Sequence, residues 1–198
     1  MPTFNSYQLA QSKITAIAVD TNNGNYVWIA YEQKNTFCLI QKVSAINPKS
    51  VYYSISLPVT SINSMCVSGV NLFVAVTDSV KSGYMISVVS PLSSQTVILK
   101  SAINGDSSPI AVVASSNYVY FLTQGTSTTS QISYFTNLGV WQQTINLSKY
   151  TIAVHNSVSF TVDANENLWI VNNTNPTNLF RVWFQSGGLW DIQQTILS

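Results

Sequence analysis

Charge is what this chain has least of. Eight Lys+Arg and seven Asp+Glu make up 8% of its 198 residues, with one His and a formal charge of +1. A typical soluble domain carries about 25% charged residues. One Arg and seven scattered Lys neutralise few phosphates, so a nucleic-acid surface built on a basic stripe is excluded. Cysteine is nearly absent as well. Cys38 and Cys66 lie inside the apolar runs FCLI and SMCV, where buried free thiols are the expected state. No apolar run approaches about 18 residues, so no membrane-spanning helix and no membrane insertion are expected. Residues 1–12 (MPTFNSYQLAQS) lack the basic start and apolar stretch of a secretory signal. No window keeps apolar residues at i, i+3, i+4 and i+7 over three turns, which leaves little room for helix. The serine-elbow, zinc-helix, phosphate-loop and paired-cysteine motifs are missing, and no cofactor is implied.

What is present is amide, hydroxyl and strand-forming residues. Ser, Thr, Asn and Gln number 28, 18, 19 and 12, and 46% of the chain is hydrophobic. That is enough apolar material for a packed core and excludes disorder of the highly charged kind. Val, Ile and Thr together supply 57 residues, a β composition.

The strand candidates repeat. ITAIAVDTNNGNYVWIAY (14–31), INSMCVSGVNLFVAVT (62–77), PIAVVASSNYVYFLT (109–123) and VSFTVDANENLWIVNN (158–173) each join an apolar strand, a polar turn and a strand centred on an aromatic. The aligned aromatics are Trp28, Phe73, Tyr120 and Trp169, spaced by 45, 47 and 49 residues. Two further strand candidates follow each hairpin: 37–45 and 51–57, 83–91 and 96–100, 131–138 and 141–147, and 179–186 and 190–197. Four strands at a period near 47 residues are the signature of a β-propeller blade. A β-sandwich is the competing architecture, but it gives no reason for an aromatic on every fourth strand. The expected fold is therefore all-β and propeller-like: one domain with four-stranded antiparallel blades at 14–57, 62–100, 109–147 and 157–198. Near-continuous apolar runs such as VWIAY and FVAV fit inner strands buried on both faces. The alternating fourth strands fit half-exposed outer positions. Trp28 and Trp169 are expected in the packing between blades.

Residues 1–13 read as one surplus outer strand. Leu9 precedes Ile14 by five residues, as Leu57 precedes Ile62 and Leu147 precedes Ile152. Such a strand can join a blade edge, reach a partner, or belong to an open arc that another subunit completes.

Two hairpins, AVDTNNGNYVWIA (18–30) and TVDANENLWIV (161–171), resemble the "VD..GN.W" hairpin of NHL-type and virginiamycin-lyase-like propellers. That resemblance implies a propeller fold with Asp20 and Asp163 bracing the turns, as Asx side chains do by bonding nearby backbone. The other two units carry Ser68 and Ser115 at that place. The lyase-like members use a histidine and acidic residues around a central metal. Here His155 is the one histidine and no Glu stands at a matching place in the other units, so no catalytic residue is carried over. DTNNGN (20–25) and DANEN (163–167) space oxygens loosely like a calcium loop but lack its closing Glu, so structural turns without metal are expected. Trp141 and Trp190, at the starts of outer strands, are the candidate binding residues. The functional expectation is a non-enzymatic interaction module, such as a virion component (capsid, spike or tail) or an extracellular surface protein. It would contact protein partners or its own copies by edge-strand pairing, with surface glycans as a further class of contact. A glycan-binding propeller and a lyase- or hydrolase-type enzyme are the alternatives.

Overall fold

The computed structural model describes residues 13–22, 24–32, 37–77, 82–89, 95–100, 109–123, 130–147, 158–172, 177–185 and 189–197. The surplus strand expected at 1–13, apart from Lys13, and His155 lie outside these residues. The described chain is β throughout. Sheet 1 holds β1 (Lys13–Val19), β2 (Tyr26–Glu32), β3 (Cys38–Ser44) and β4 (Val51–Leu57). Sheet 2 holds β5 (Ser61–Ser68), β6 (Asn71–Thr77), β7 (Ser82–Ser87) and β8 (Gln95–Lys100). Sheet 3 holds β9 (Pro109–Ala114), β10 (Tyr118–Thr123), β11 (Gln131–Thr136) and β12 (Trp141–Asn146). Sheet 4 holds β13 (Val158–Val162), β14 (Leu168–Asn172), β15 (Thr177–Gln185) and β16 (Leu189–Leu197). In every sheet the strands pair antiparallel in sequence order.

The sheets stand side by side as blades. Their first strands line the inner edge, β1 against β5, β5 against β9 and β9 against β13. No comparable packing among the described strands joins β13 back to β1, so the four blades form an arc with two end faces. Strand alternation gives each blade a rear face toward the preceding blade and a forward face toward the next.

Three apolar layers fill the gaps. Between blades 1 and 2, Trp28, Ala30 and Ile40 meet Leu72, Val74 and Ile86. Between blades 2 and 3, Phe73 and Ala75 meet Val112, Val119, Phe121 and Phe135. Between blades 3 and 4, Tyr120, Leu122 and Ile132 meet Leu168, Ile170, Phe180 and Val182. The repeated aromatic thus sits on the forward face each time. Trp28, Phe73 and Tyr120 are fully or almost fully buried, whereas Trp169, on the forward face of blade 4, is half-buried. The sequence places Trp169 among inter-blade core residues, but among the described residues no further blade packs over it.

Polar bonds stitch the layers. Asn63 Nδ2 donates to the Pro109 carbonyl (2.8 Å), Asn71 Nδ2 to the Asn137 carbonyl (2.9 Å), and Val112 N to Ser64 Oγ (3.1 Å). Cys38 and Cys66 are free, and burial pushes the Cys66 thiol well above its usual range. Among the described residues no helix is long and apolar enough to cross a membrane.

Candidate functional site

The turns joining first to second strands gather at one end of the inner edge. Each has its own local brace. In blade 1, Asp20 Oδ1 accepts from Asn22 N (3.1 Å), an Asx turn, and its other oxygen meets Lys42 Nζ at 2.7 Å. Lys42 also lies over the Tyr26 and Trp28 rings, 4.9 and 5.4 Å from their centroids. In blade 2 a tight turn is closed by Gly69, whose φ of 55° is the left-handed conformation that favours glycine. In blade 3, Ser115 Oγ accepts from Tyr118 N (3.1 Å) and Asn117 N (3.3 Å), the hydroxyl version of the same brace. In blade 4, Asp163 accepts from Asn165 N, Asn167 N and Asn167 Nδ2, and Trp169 Nε1 donates to its Oδ2 at 3.1 Å. Burial alone would raise the Asp163 carboxyl, but the hydrogen bonds from Asn167, Trp169 and Asn165 outweigh it and bring the value down to about 2.

These turns enclose a cleft of about 530 Å³, lined by Thr21, Ser68, Gly69, Ser115, Ser116 and Glu166 among others. Glu166 sits at φ 61°, an uncommon backbone for a non-glycine residue. Its Oε2 accepts from the Tyr120 hydroxyl at 2.7 Å, across the boundary of blades 3 and 4. Burial, reinforced by that bond to a carboxylate, drives the Tyr120 phenol far above its ordinary range. Asn22 Nδ2 likewise crosses to the Gly69 carbonyl, tying turn 1 to turn 2.

Chemically the cleft is small hydroxyls and backbone with two carboxylates, both already engaged. Donors from its own turn hold Asp163 in its ionised form, and Glu166 accepts from the Tyr120 hydroxyl. Among the described residues no group of three or more His, Cys, Asp or Glu could hold a metal ion.

The two tryptophans singled out from sequence lie elsewhere, on outer strands. Trp141 opens β12 and is 59% exposed. Trp190 in β16 is half-buried, edge-on to Tyr134 and Phe184, and its Nε1 donates to Gln143 Oε1 of blade 3 at 3.3 Å. It therefore helps join blades 3 and 4, while Trp141 faces outward. Sequence reasoning missed Lys42, Arg181 and the Tyr120–Glu166 bond. The first two had a signal: each is the single charged residue of its third strand, directly opposite the repeated Trp.

No family model matches the sequence, and no curated protein matches it. Solved structures do. The Cps50 (Swd1) β-propeller domain of Myceliophteria thermophila aligns with a TM-score of 0.61 at 10% identity, over 92% of this chain and 58% of that one. YCF48 from Cyanidioschyzon merolae gives 0.62 at 15%, over 96% and 59%. BamB from Moraxella catarrhalis gives 0.60 at 13%, over 92% and 54%. The chain spans little more than half the length of each. Likeness at such low identity is likeness of fold, and the fold it carries is the β-propeller.

Proposed function

We propose that this chain is a non-enzymatic interaction scaffold whose turn rim receives a protein partner. The observation that carries this reading is the state of the rim cleft: Asp163 and Glu166 are consumed by the scaffold, and hydroxyl and backbone groups remain to bond an inserted loop or peptide. Propeller domains reuse one frame for many roles, so the site and not the fold has to support the assignment. Paired substitutions at the exposed positions, Ser116→Arg and Ala164→Arg, would fill the cleft entrance without touching the blade core. Cross-linking mass spectrometry on the native source should recover a partner joined to rim residues of the wild type and lose it in the double variant. Equal recovery from both rejects the rim as the docking surface.

A narrower form of the proposal places the chain on a virion or an extracellular surface. The uncharged Ser/Thr/Asn/Gln exterior supports it, since contacts made without charge are insensitive to salt. Mass spectrometry of purified particles tests it; particles lacking the chain reject it. A second reading, glycan binding at the exposed Trp141, rests on that ring's open face. Trp141→Ala should then abolish hits on a glycan array, and an array without hits removes the reading.

A further inference from the structure

We propose that a second copy of this chain closes the arc head to tail, blade 4 of each copy packing on blade 1 of the other to make an eight-bladed ring with two-fold symmetry. The inference rests on the blade faces, not on the turn rim, and stands apart from the scaffold reading above.

The two end faces are the halves of an interface that the molecule already builds three times. The rear faces of blades 2, 3 and 4 present the pairs Met65–Val74 and Val67–Leu72, Val112–Phe121 and Ala114–Val119, and Phe160–Ile170 and Val162–Leu168. Each set packs into an inter-blade layer. The same positions in blade 1 are Ile17–Ile29 and Val19–Val27. Met65 and Val67 are 6% exposed, whereas Ile17 and Val19 are 58% and 57% exposed. Tyr31 and Val43 on this rear face are buried, so the open part centres on the inner strand. Ile17 and Val19 stand in water while their partners Ile29 and Val27 are half-buried, which forgoes part of the burial that stabilises the other three gaps.

The forward face of blade 4 is the matching half. Ala18, Cys66, Val113 and Thr161 are equivalent, each paired with the repeated aromatic Trp28, Phe73, Tyr120 or Trp169. Cys66 packs in the layer with Val112 and Ala114 of the next blade. By the same register Thr161 is set to meet Ile17 and Val19 of a following blade. Around it stand Trp169, Val171, Leu179 and Trp183, all half-buried, with the Arg181 guanidinium between the two indoles at 5.7 and 5.1 Å. A second copy is the occupant that the repeat geometry specifies. It brings a blade 1 rear face with the inner-strand register already used between neighbouring blades, and the reciprocal contact forms at the other end. A heterologous contact of this kind closes when the rotation between copies completes a circle. Four blades cover just over half of the solved β-propeller domain of Cps50, so two arcs supply enough blades for a ring.

The test is the solution mass of the whole 198-residue chain by light scattering and native mass spectrometry. The expected mass is twice the 21.7 kDa of one chain. Ile17→Asp and Thr161→Arg alter exposed positions at opposite ends of the arc, so each should halve the mass while leaving the β circular-dichroism spectrum intact; Val19→Asp serves as a further variant should Ile17→Asp fold poorly. Mixing the two variants should restore the dimer. One junction is then wild-type on both sides, and the other sets the introduced arginine of one copy against the introduced aspartate of its partner. A monomeric wild type, a larger open assembly, a dimer that survives both substitutions, or variants that stay monomeric when mixed would each overturn the proposal. A back-to-back contact between two blade 1 faces would show a different pattern, Thr161→Arg remaining dimeric by itself while Ile17→Asp is monomeric, and that pattern too would overturn the proposal.

Discussion

Blades 1 and 4 carry the same three-part constellation in two surroundings. In blade 1 it is Asp20, Trp28 and Lys42; in blade 4 it is Asp163, Trp169 and Arg181. The cation stands directly opposite the Trp in both registers. The residue two before the Trp decides how the parts connect. In blade 1 that residue is Tyr26, which offers only a ring face to Lys42, so Lys42 reaches Asp20 directly and Trp28 Nε1 is left without a hydrogen-bond partner. In blade 4 it is Asn167, whose amide nitrogen donates to Asp163 and whose oxygen accepts from Arg181 Nε and Nη2 (3.3 and 3.0 Å). Asp163 is then free to hold Trp169 Nε1. Blade 2 covers the first arrangement, leaving the Asp20 side chain 1% and the Lys42 side chain 13% exposed. One repeat position therefore tolerates a buried ion pair or an amide-bridged, partly wetted cation, according to what packs on top.

The largest effect should separate the two cations, measured in the Ile17→Asp background so that the arc is compared with itself. Lys42→Met strands a buried carboxylate and should cost about 3–5 kcal/mol in chemical denaturation. Arg181→Met removes a half-exposed cation and should cost under about 1 kcal/mol. Equal losses would break the distinction between covered and open blades. Next comes the covered boundary of blades 3 and 4. Tyr120→Phe removes the donor to Glu166 and should cost about 1.5–3 kcal/mol, as charge-assisted bonds do; a neutral result would mean that water replaces the phenol there.

Asp163→Asn sharpens the open side through pH. The folded carboxyl lies at about 2, below its ordinary 3.8, so its stabilisation is complete above about pH 4 and is lost as pH falls through about 2. The variant should melt below wild type at pH 7, and the gap should close between pH 4 and 2. A gap that persists at pH 2 would assign the loss to shape and not to charge. Smallest is Ser115→Ala in the covered blade 3 turn, at about 0.5 kcal/mol, since a hydroxyl brace is weaker than a carboxylate one.

The architecture was legible because the aromatics recur with the blade. Trp28, Phe73, Tyr120 and Trp169 each mark a second strand, and the intervening polar turns mark where the inner edge ends. The openness of the arc was legible only as one of three outcomes for the surplus strand, and nothing in the sequence chose among them. Ile17 and Val19 read like Met65 and Val67, since a sequence records which faces are apolar and not whether a neighbour is present to cover them. The Tyr120–Glu166 bond was hidden for another reason. It joins residues of different repeat units, and Glu166 reaches Tyr120 only because its own backbone turns left-handed. Lys42 was readable in principle, as the single charge of its strand, once strand register was known.

Every strand in the described sheets pairs only with its neighbours in sequence, and no strand is exchanged between sheets. The backbone-laddered unit is therefore a module of fewer than fifty residues that meets its neighbours through side-chain packing and side-chain-to-backbone bonds but shares no strand ladder with them. Loop closure within such a unit is local, and each blade can form as it leaves the ribosome without waiting for a distant strand. A tandem in-frame duplication of one unit would lengthen the arc by one blade while leaving all existing ladders intact. A change of blade number by whole repeats would accordingly disturb side-chain packing at the new junctions and no existing strand ladder.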